Sequence, residues 1–292
     1  MPPPTAPPKP PSAPLKPLSA SPVSRKLTVR KAQPIVPRIF LYAVEKFGKT
    51  TAGAYSEEPV ILMARDTGYD TLVSAGLAPA VPSVLIETWS EGLAWLDALI
   101  TDQQGRKTLV LDGITGFERL CHEHVVEMHY DGDWSTENKG FLAYNKGPHF
   151  AVTEWLKFLS RLDKLQSLGM MILMLGHART KAVRNPMGAD YDRFEPDVAP
   201  PTWGATAKWA DVICFGKFHS LVDVGKREAS KKLAEQKGKA IGGTVRVLFT
   251  QPHDAFVAGN RYGMDSEIWL EKVEAPDMWN VLITQIRKPP TE

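Results

Sequence analysis

The stretch Ala43-Val44-Glu45-Lys46-Phe47-Gly48-Lys49-Thr50 has the spacing of a phosphate-cradling loop, with Ala43 where such loops usually open on glycine. Backbone N–H groups of such a loop point at a β-phosphate. Lys49 is a compact cation that can reach the β- and γ-phosphates, and the Thr50 hydroxyl is a natural Mg²⁺ ligand. Thr51 completes the nucleotide-binding stretch. Ala43 is small enough for the first turn, although alanine accepts positive φ less readily than glycine. The ligand these residues predict is ATP with Mg²⁺.

Four residues elsewhere could complete the chemistry. Asp112 ends the apolar run Leu109-Val110-Leu111. A carboxylate there can hold the cation and its water shell, so Thr50 and Asp112 are the expected metal ligands. His177 follows the apolar run Met170–Leu175 and Gly176. At that place a polar residue senses a γ-phosphate, or else a histidine caps the loop. Asp66 follows the run Pro59–Ala64. It could orient an attacking water, or serve as a turn residue in Arg65-Asp66-Thr67-Gly68. Arg261 lies in Gly259-Asn260-Arg261-Tyr262-Gly263, where the glycines let the backbone turn tightly. A rigid guanidinium fork suits a γ-phosphate. Arg261 is therefore either a finger donated across a subunit interface or a turn residue pairing with Asp265 or Glu267.

Other candidates read as structure. Cys121, His122, His124 and His129 fit no closed tetrahedral metal pattern. On a helix Cys121 and His122 point in different directions, so a solvated helix face is expected. The eight tryptophans read mainly as core, with Trp203 and Trp209 flanking a possible helix.

Positioning these residues takes alternating strands and helices. Apolar runs at Arg38–Tyr42, Pro59–Ala64, Ser83–Glu87, Thr108–Asp112 and Met170–Leu175 read as buried strands. Helices are expected over Lys49–Tyr55, over Glu91–Thr101 with Ser90 as cap, around Phe117–Val126 and over Phe150–Ser167. Trp209–Lys217 and Thr244–Thr250 read as later strands. Continuous apolar strands alternating with helices predict an α/β fold, a mainly parallel sheet covered by helices on both faces.

Bulk composition narrows the class. The 292 residues are 43% hydrophobic, enough for one sizeable core. No apolar run is long enough to span a membrane. Two cysteines make no disulfide framework, which fits a reducing cytoplasm. Residues 1–34 hold 11 of the 24 prolines and six basic residues without an acid, so a disordered tail is expected. The rest carries 29 basic against 33 acidic residues, so any nucleic-acid contact must come from a local patch. The densest is Lys226, Arg227, Lys231, Lys232, Lys237 and Lys239. The expected organisation is a tail over 1–34, an ATPase domain over 35–275 and an extension over 276–292.

On these residues the chain resembles the phage-encoded RecA-like ATP-binding proteins of AAA type, including the Sak-type single-strand-annealing ATPases. The carrying segments are Arg38–Tyr42 with Gly48–Thr51, Asp70–Leu72, Thr108–Asp112 with Phe117–Leu120, Leu175–His177, Tyr191–Pro196, Lys208–Asp211 and Gly259–Gly263. The resemblance implies a RecA-like core and ATP hydrolysis stimulated by single-stranded DNA. It also implies homo-oligomers with ATP sites between subunits, a single-strand-binding or recombination partner, and a role in phage recombination or replication inside a bacterial host. Asp66 stands where that family has glutamate, and Ala199–Trp203 replaces a more helical, lysine-bearing stretch. Two other readings are an ATP-dependent switch or loader with little turnover, and a motor of another P-loop class.

Overall fold

Strand β1, Arg38–Ala43, alternates its side chains between two cores. Phe40 and Tyr42 face one, and Ile39, Leu41 and Ala43 face the other. That period of two, with both sets apolar, marks a strand buried on both faces. The computed structural model describes residues 34–137, 139–186, 188–223 and 239–287. In chain order the elements after β1 are α1 (Lys49–Ala54), β2 (Pro59–Ala64), α2 (Gly68–Ser74), β3 (Ser83–Ile86), α3 (Trp89–Thr101), β4 (Thr108–Asp112) and α4 (Ile114–His129). Then come α5 (Lys146–Ser167), β5 (Met171–Val183), β6 (Tyr191–Pro196), α6 (Pro200–Trp209), β7 (Val212–Asp223), β8 (Lys239–Phe249), β9 (Gly259–Asn260), β10 (Glu267–Leu270) and α7 (Met278–Arg287).

Among the described residues ten strands form one sheet in the order β10-β8-β7-β1-β5-β4-β2-β3, with β6 pairing β5 and β9 pairing β7. The run from β7 to β3 is parallel throughout. The later strands add on antiparallel. The expected mainly parallel α/β sheet is therefore what the chain builds. One face is covered by α3, α4 and α5, through Leu96, Phe117, Trp155 and Phe158. The other is covered by α1, α2 and α7, through Ala52, Tyr69 and Leu282. Helix α7 falls in the segment expected as an extension, yet Met278, Trp279, Leu282 and Ile286 join the same core.

Several local expectations shift. Helix α3 is capped by Thr88, whose hydroxyl accepts from the Glu91 N–H at 3.2 Å, rather than by Ser90. Residues 200–209 form helix α6, opened by Pro200, where a missing N–H costs nothing. Cys121 and His122 do not lie on a solvated face. Cys121 is buried and its thiol contacts the Ala151 carbonyl at 3.7 Å, while the His122 side chain is 13% exposed. Among the described residues no group of three metal-ligating side chains gathers. Trp89 and Trp155 stack in the core, whereas Trp95, Trp134 and Trp269 are exposed. Among the described residues no helix is long and apolar enough to cross a membrane. The basic segment from Lys226 to Lys237 lies outside the described residues, and Lys239 opens β8.

Candidate nucleotide-binding site

β1 carries the chain to the edge of the sheet at Ala43, and the loop turns there. The Val44 N–H donates to the Gly216 carbonyl of β7 at 3.1 Å. Lys46 (φ 56°) and Gly48 (φ 100°) take left-handed conformations that reverse the chain into α1. Ala43 closes β1 and is not among the positive-φ residues, so alanine serves where glycine was expected. Phe47 is fully buried beneath the loop. A Cβ on Gly216 would stand 2.7 Å from the Phe47 ring and 2.9 Å from the Ala43 Cβ, so only glycine leaves room for this loop.

Lys49 is buried, and its Nζ donates to the carbonyls of Ala43 and Val44, both at 3.3 Å. Burial pushes its pKa down, and the charges of Asp112 and Glu45 oppose that. Glu45 and Lys46 are exposed and complete the loop's outer side. The Thr50 hydroxyl donates to Asp112 Oδ2 at 2.6 Å, while Thr51 turns inward and is buried. The residues read from sequence as two halves of one site thus meet directly.

Asp112 ends β4 and pairs in register with Leu175 of β5. Burial raises its carboxyl pKa, and the hydrogen bond from Thr50 opposes this. The negative charge of Asp66 pushes it up further, while Lys49 and His177 pull it down. The strand register agrees with these couplings: Met63 of β2 and Leu175 of β5 both pair with Asp112, so Asp66 and His177, which follow them, lie at the same end of the sheet, and Lys49 is the neighbour of Thr50. His177 sits opposite Ala43 in the β1–β5 register, on an exposed stretch of β5. Asp66 follows β2, and its Oδ1 accepts from the Gly68 N–H at 2.8 Å, an Asx turn opening α2. The turn reading and proximity to the site therefore hold together.

Arg261 is placed apart from this group. Its Nη1 donates to Asp211 at 2.6 Å and its Nη2 to the Lys208 carbonyl at 3.1 Å. Asp211 also accepts from the Arg38 guanidinium at 2.9 Å and 3.0 Å. Burial works to raise the Asp211 pKa, but these arginine bonds outweigh it and hold the carboxylate low. Arg38 begins β1 and Ala43 ends it, so the Arg261 pair lies at the opposite edge of the sheet, roughly 16 Å along the strand. The partner is Asp211, not the neighbouring acids that the local sequence suggested.

One residue beside the loop escaped sequence reading. Arg246 of β8 donates from Nε to the Phe47 carbonyl at 2.7 Å. The only signal was a lone arginine inside the apolar run Val245–Phe249.

Chemically, the site offers a glycine-turned loop, a buried lysine, a hydroxyl touching a carboxylate, and a second carboxylate and an imidazole close by. Two hard oxygen donors in contact suit a divalent cation such as Mg²⁺. No curated protein matches the chain. The model of the AAA domain family matches residues 36–262, spanning the loop, Asp112, His177 and Arg261. The chain belongs to that family, and is a P-loop nucleotide-binding protein of AAA type.

Proposed function

We propose that the chain binds ATP with Mg²⁺ on the loop from Ala43 to Thr51 and hydrolyses it, with turnover stimulated by single-stranded DNA in phage-type recombination or replication. The observation that carries the nucleotide reading is the 2.6 Å contact of Thr50 with Asp112, next to a loop whose buried lysine is Lys49. In this reading Lys49 holds the terminal phosphates. Thr50 and Asp112 hold the cation, which neutralises charge developing on the phosphates. Asp66 orients the attacking water and His177 contacts the γ-phosphate. Arg261 acts from a neighbouring subunit of a homo-oligomer, consistent with its place at the far edge of its own sheet. The DNA part rests on the family resemblance and on the basic residues from Lys226 to Lys239.

ATPase rates with and without single-stranded DNA test this directly. The expected result is Mg²⁺-dependent phosphate release that rises with DNA. A rate unmoved by DNA removes the DNA part, and no release under either condition removes hydrolysis. A second reading, a switch or loader with little turnover, is favoured by one observation: the short Asp66 carboxylate is already engaged by the Gly68 N–H. Firm ATP binding with negligible turnover, even with DNA, is its signature.

A further inference from the structure

Arg246 is a charged residue inside the apolar run Val245–Phe249 that ends β8, with Val247 and Leu248 buried beside it. Among the described residues its contacts are unusual for an arginine in such a place. Nε donates to the Phe47 carbonyl at 2.7 Å, and the guanidinium carbon lies 5.7 Å from the centre of the Phe218 ring. Phe218 in turn packs on Phe47, with ring centres 5.9 Å apart. A neighbouring wall is Ala275, whose Cβ would lie 2.8 Å from a Cβ on Gly48. The loop is thus gripped from the C-terminal strands at one peptide group, that between Phe47 and Gly48.

We infer that Arg246 is a positioning residue for the phosphate-binding loop, fixing the aim of the Gly48 N–H. The inference rests on the nucleotide reading above. The Phe47 carbonyl and the Gly48 N–H belong to one planar peptide unit, so anchoring the oxygen fixes the direction of the hydrogen. A charged donor on the carbonyl also polarises the N–H at the other end, as in a chain of hydrogen bonds. Glycine is the residue whose neighbouring peptides rotate most freely, so an untethered unit here would sample several directions. In a loop of this type the N–H groups are the phosphate ligands, and their value lies in being aimed before the ligand arrives. Phe218 keeps the guanidinium in place by stacking, which a lysine ammonium would satisfy less well.

The test uses the full chain with Arg246→Met, which keeps the apolar stem, and Arg246→Lys, which keeps a charged donor. ATP and ADP affinities are measured by titration, KM and kcat by phosphate release, and the melting temperature without nucleotide. Arg246→Met should weaken ATP and ADP binding about tenfold, the size of one hydrogen bond from a charged group. KM should rise by a similar factor while kcat at saturation changes little. The unliganded melting temperature should stay near that of the wild type, and Arg246→Lys should recover part of the affinity. Wild-type affinity in Arg246→Met overturns the inference. So does an affinity loss that follows a fall in unliganded stability and is not recovered by lysine. If the methionine variant does not fold, Arg246→Gln carries the same expectation and the same overturning result. Absence of ATP binding by the wild type would instead sink the nucleotide reading. Binding that is lost in Lys49→Ala but untouched at Arg246 sinks only the present inference.

Discussion

The Thr50 hydroxyl reaches the Asp112 carboxylate at 2.6 Å although the two residues are 62 positions apart. Their meeting follows from how α1 lies on the sheet. Gly53 of α1 faces Val110 of β4 so closely that a Cβ on it would stand 2.9 Å from the valine side chain. A glycine at that point lets the helix descend onto β4. Its first turn, which carries Lys49 and Thr50, then comes to rest over the end of the strand, where Asp112 sits.

This contact makes the roles of Lys49 and Asp112 separable. Lys49→Ala removes the buried cation of the loop, so ATP binding should fall below detection in a nucleotide titration. Asp112→Asn keeps the size of the side chain and its ability to accept from Thr50. Much of the nucleotide affinity should survive, while Mg²⁺-dependent phosphate release should drop by about 10²-fold or more. Hydrolysis at the wild-type rate in both variants would overturn the assignment of this site.

Asp66 has two duties that one substitution can divide. Its Oδ1 accepts from the Gly68 N–H, and its charge reaches Asp112. Asp66→Asn retains an oxygen for the turn but loses the carboxylate. If the carboxylate orients the attacking water, kcat should fall by about 10²-fold, within the range of general-base contributions, with KM and melting temperature nearly unchanged. Asp66→Ala should lose both the activity and the turn. A fully active Asp66→Asn would leave Asp66 as a turn residue alone.

What could be read from the sequence divides along a physical line. The runs that became β1, β2, β4 and β5 are buried on both sides, so they appear as unbroken apolar segments, and a polar residue at the end of one stands out. Asp112 and the loop after Tyr42 were visible for that reason. Short strands such as Tyr191–Pro196 and Gly259–Asn260 carry no such run and exist only because β5 and β7 offer them edges. Cys121 and His122 looked like a polar helix face because their burial comes from distant chain, the Ala151 carbonyl in one case and the Phe141 ring in the other. Arg246 was hidden for the same reason, since its partner Phe47 lies 199 residues earlier.

His122 offers a test of that burial. Its Nε2 has no hydrogen-bond partner among the described residues, and Glu118 comes no nearer than 4.0 Å. Burial depresses its pKa from the ordinary 6.5 to about 4. The unfolded chain therefore binds a proton that the folded chain refuses over that interval. Stability from this group is complete above pH 6.5 and is lost as pH falls toward 4, with a slope of up to about 1.4 kcal/mol per pH unit. Denaturant unfolding at pH 7 and pH 4.5 should show a smaller acid loss in His122→Leu than in the wild type. Equal acid losses in the two proteins would mean that His122 titrates normally in the fold.

Arg261 and Asp211 decide whether the site is shared between subunits. Within one chain the guanidinium is paired at the sheet edge opposite the loop, and its side chain is still 58% exposed. An exposed fork held by a buried carboxylate is presented outward at a fixed angle, which suits donation to a neighbour's γ-phosphate. On that view Arg261→Ala should bind ATP as the wild type does yet hydrolyse it slowly, by as much as on the order of 10³-fold. Removing Arg261 also releases Asp211, but Arg38 still holds that carboxylate through three hydrogen bonds, so folding should be largely spared. Mixing Arg261→Ala with Lys49→Ala supplies the decisive measurement. Each variant alone lacks one half of the site, but some interfaces in a mixed assembly combine an intact loop with an intact arginine. Phosphate release should then recover in part. No recovery, in a mixture shown to co-assemble, would confine Arg261 to its own subunit as the residue that ties β9 to the start of β7.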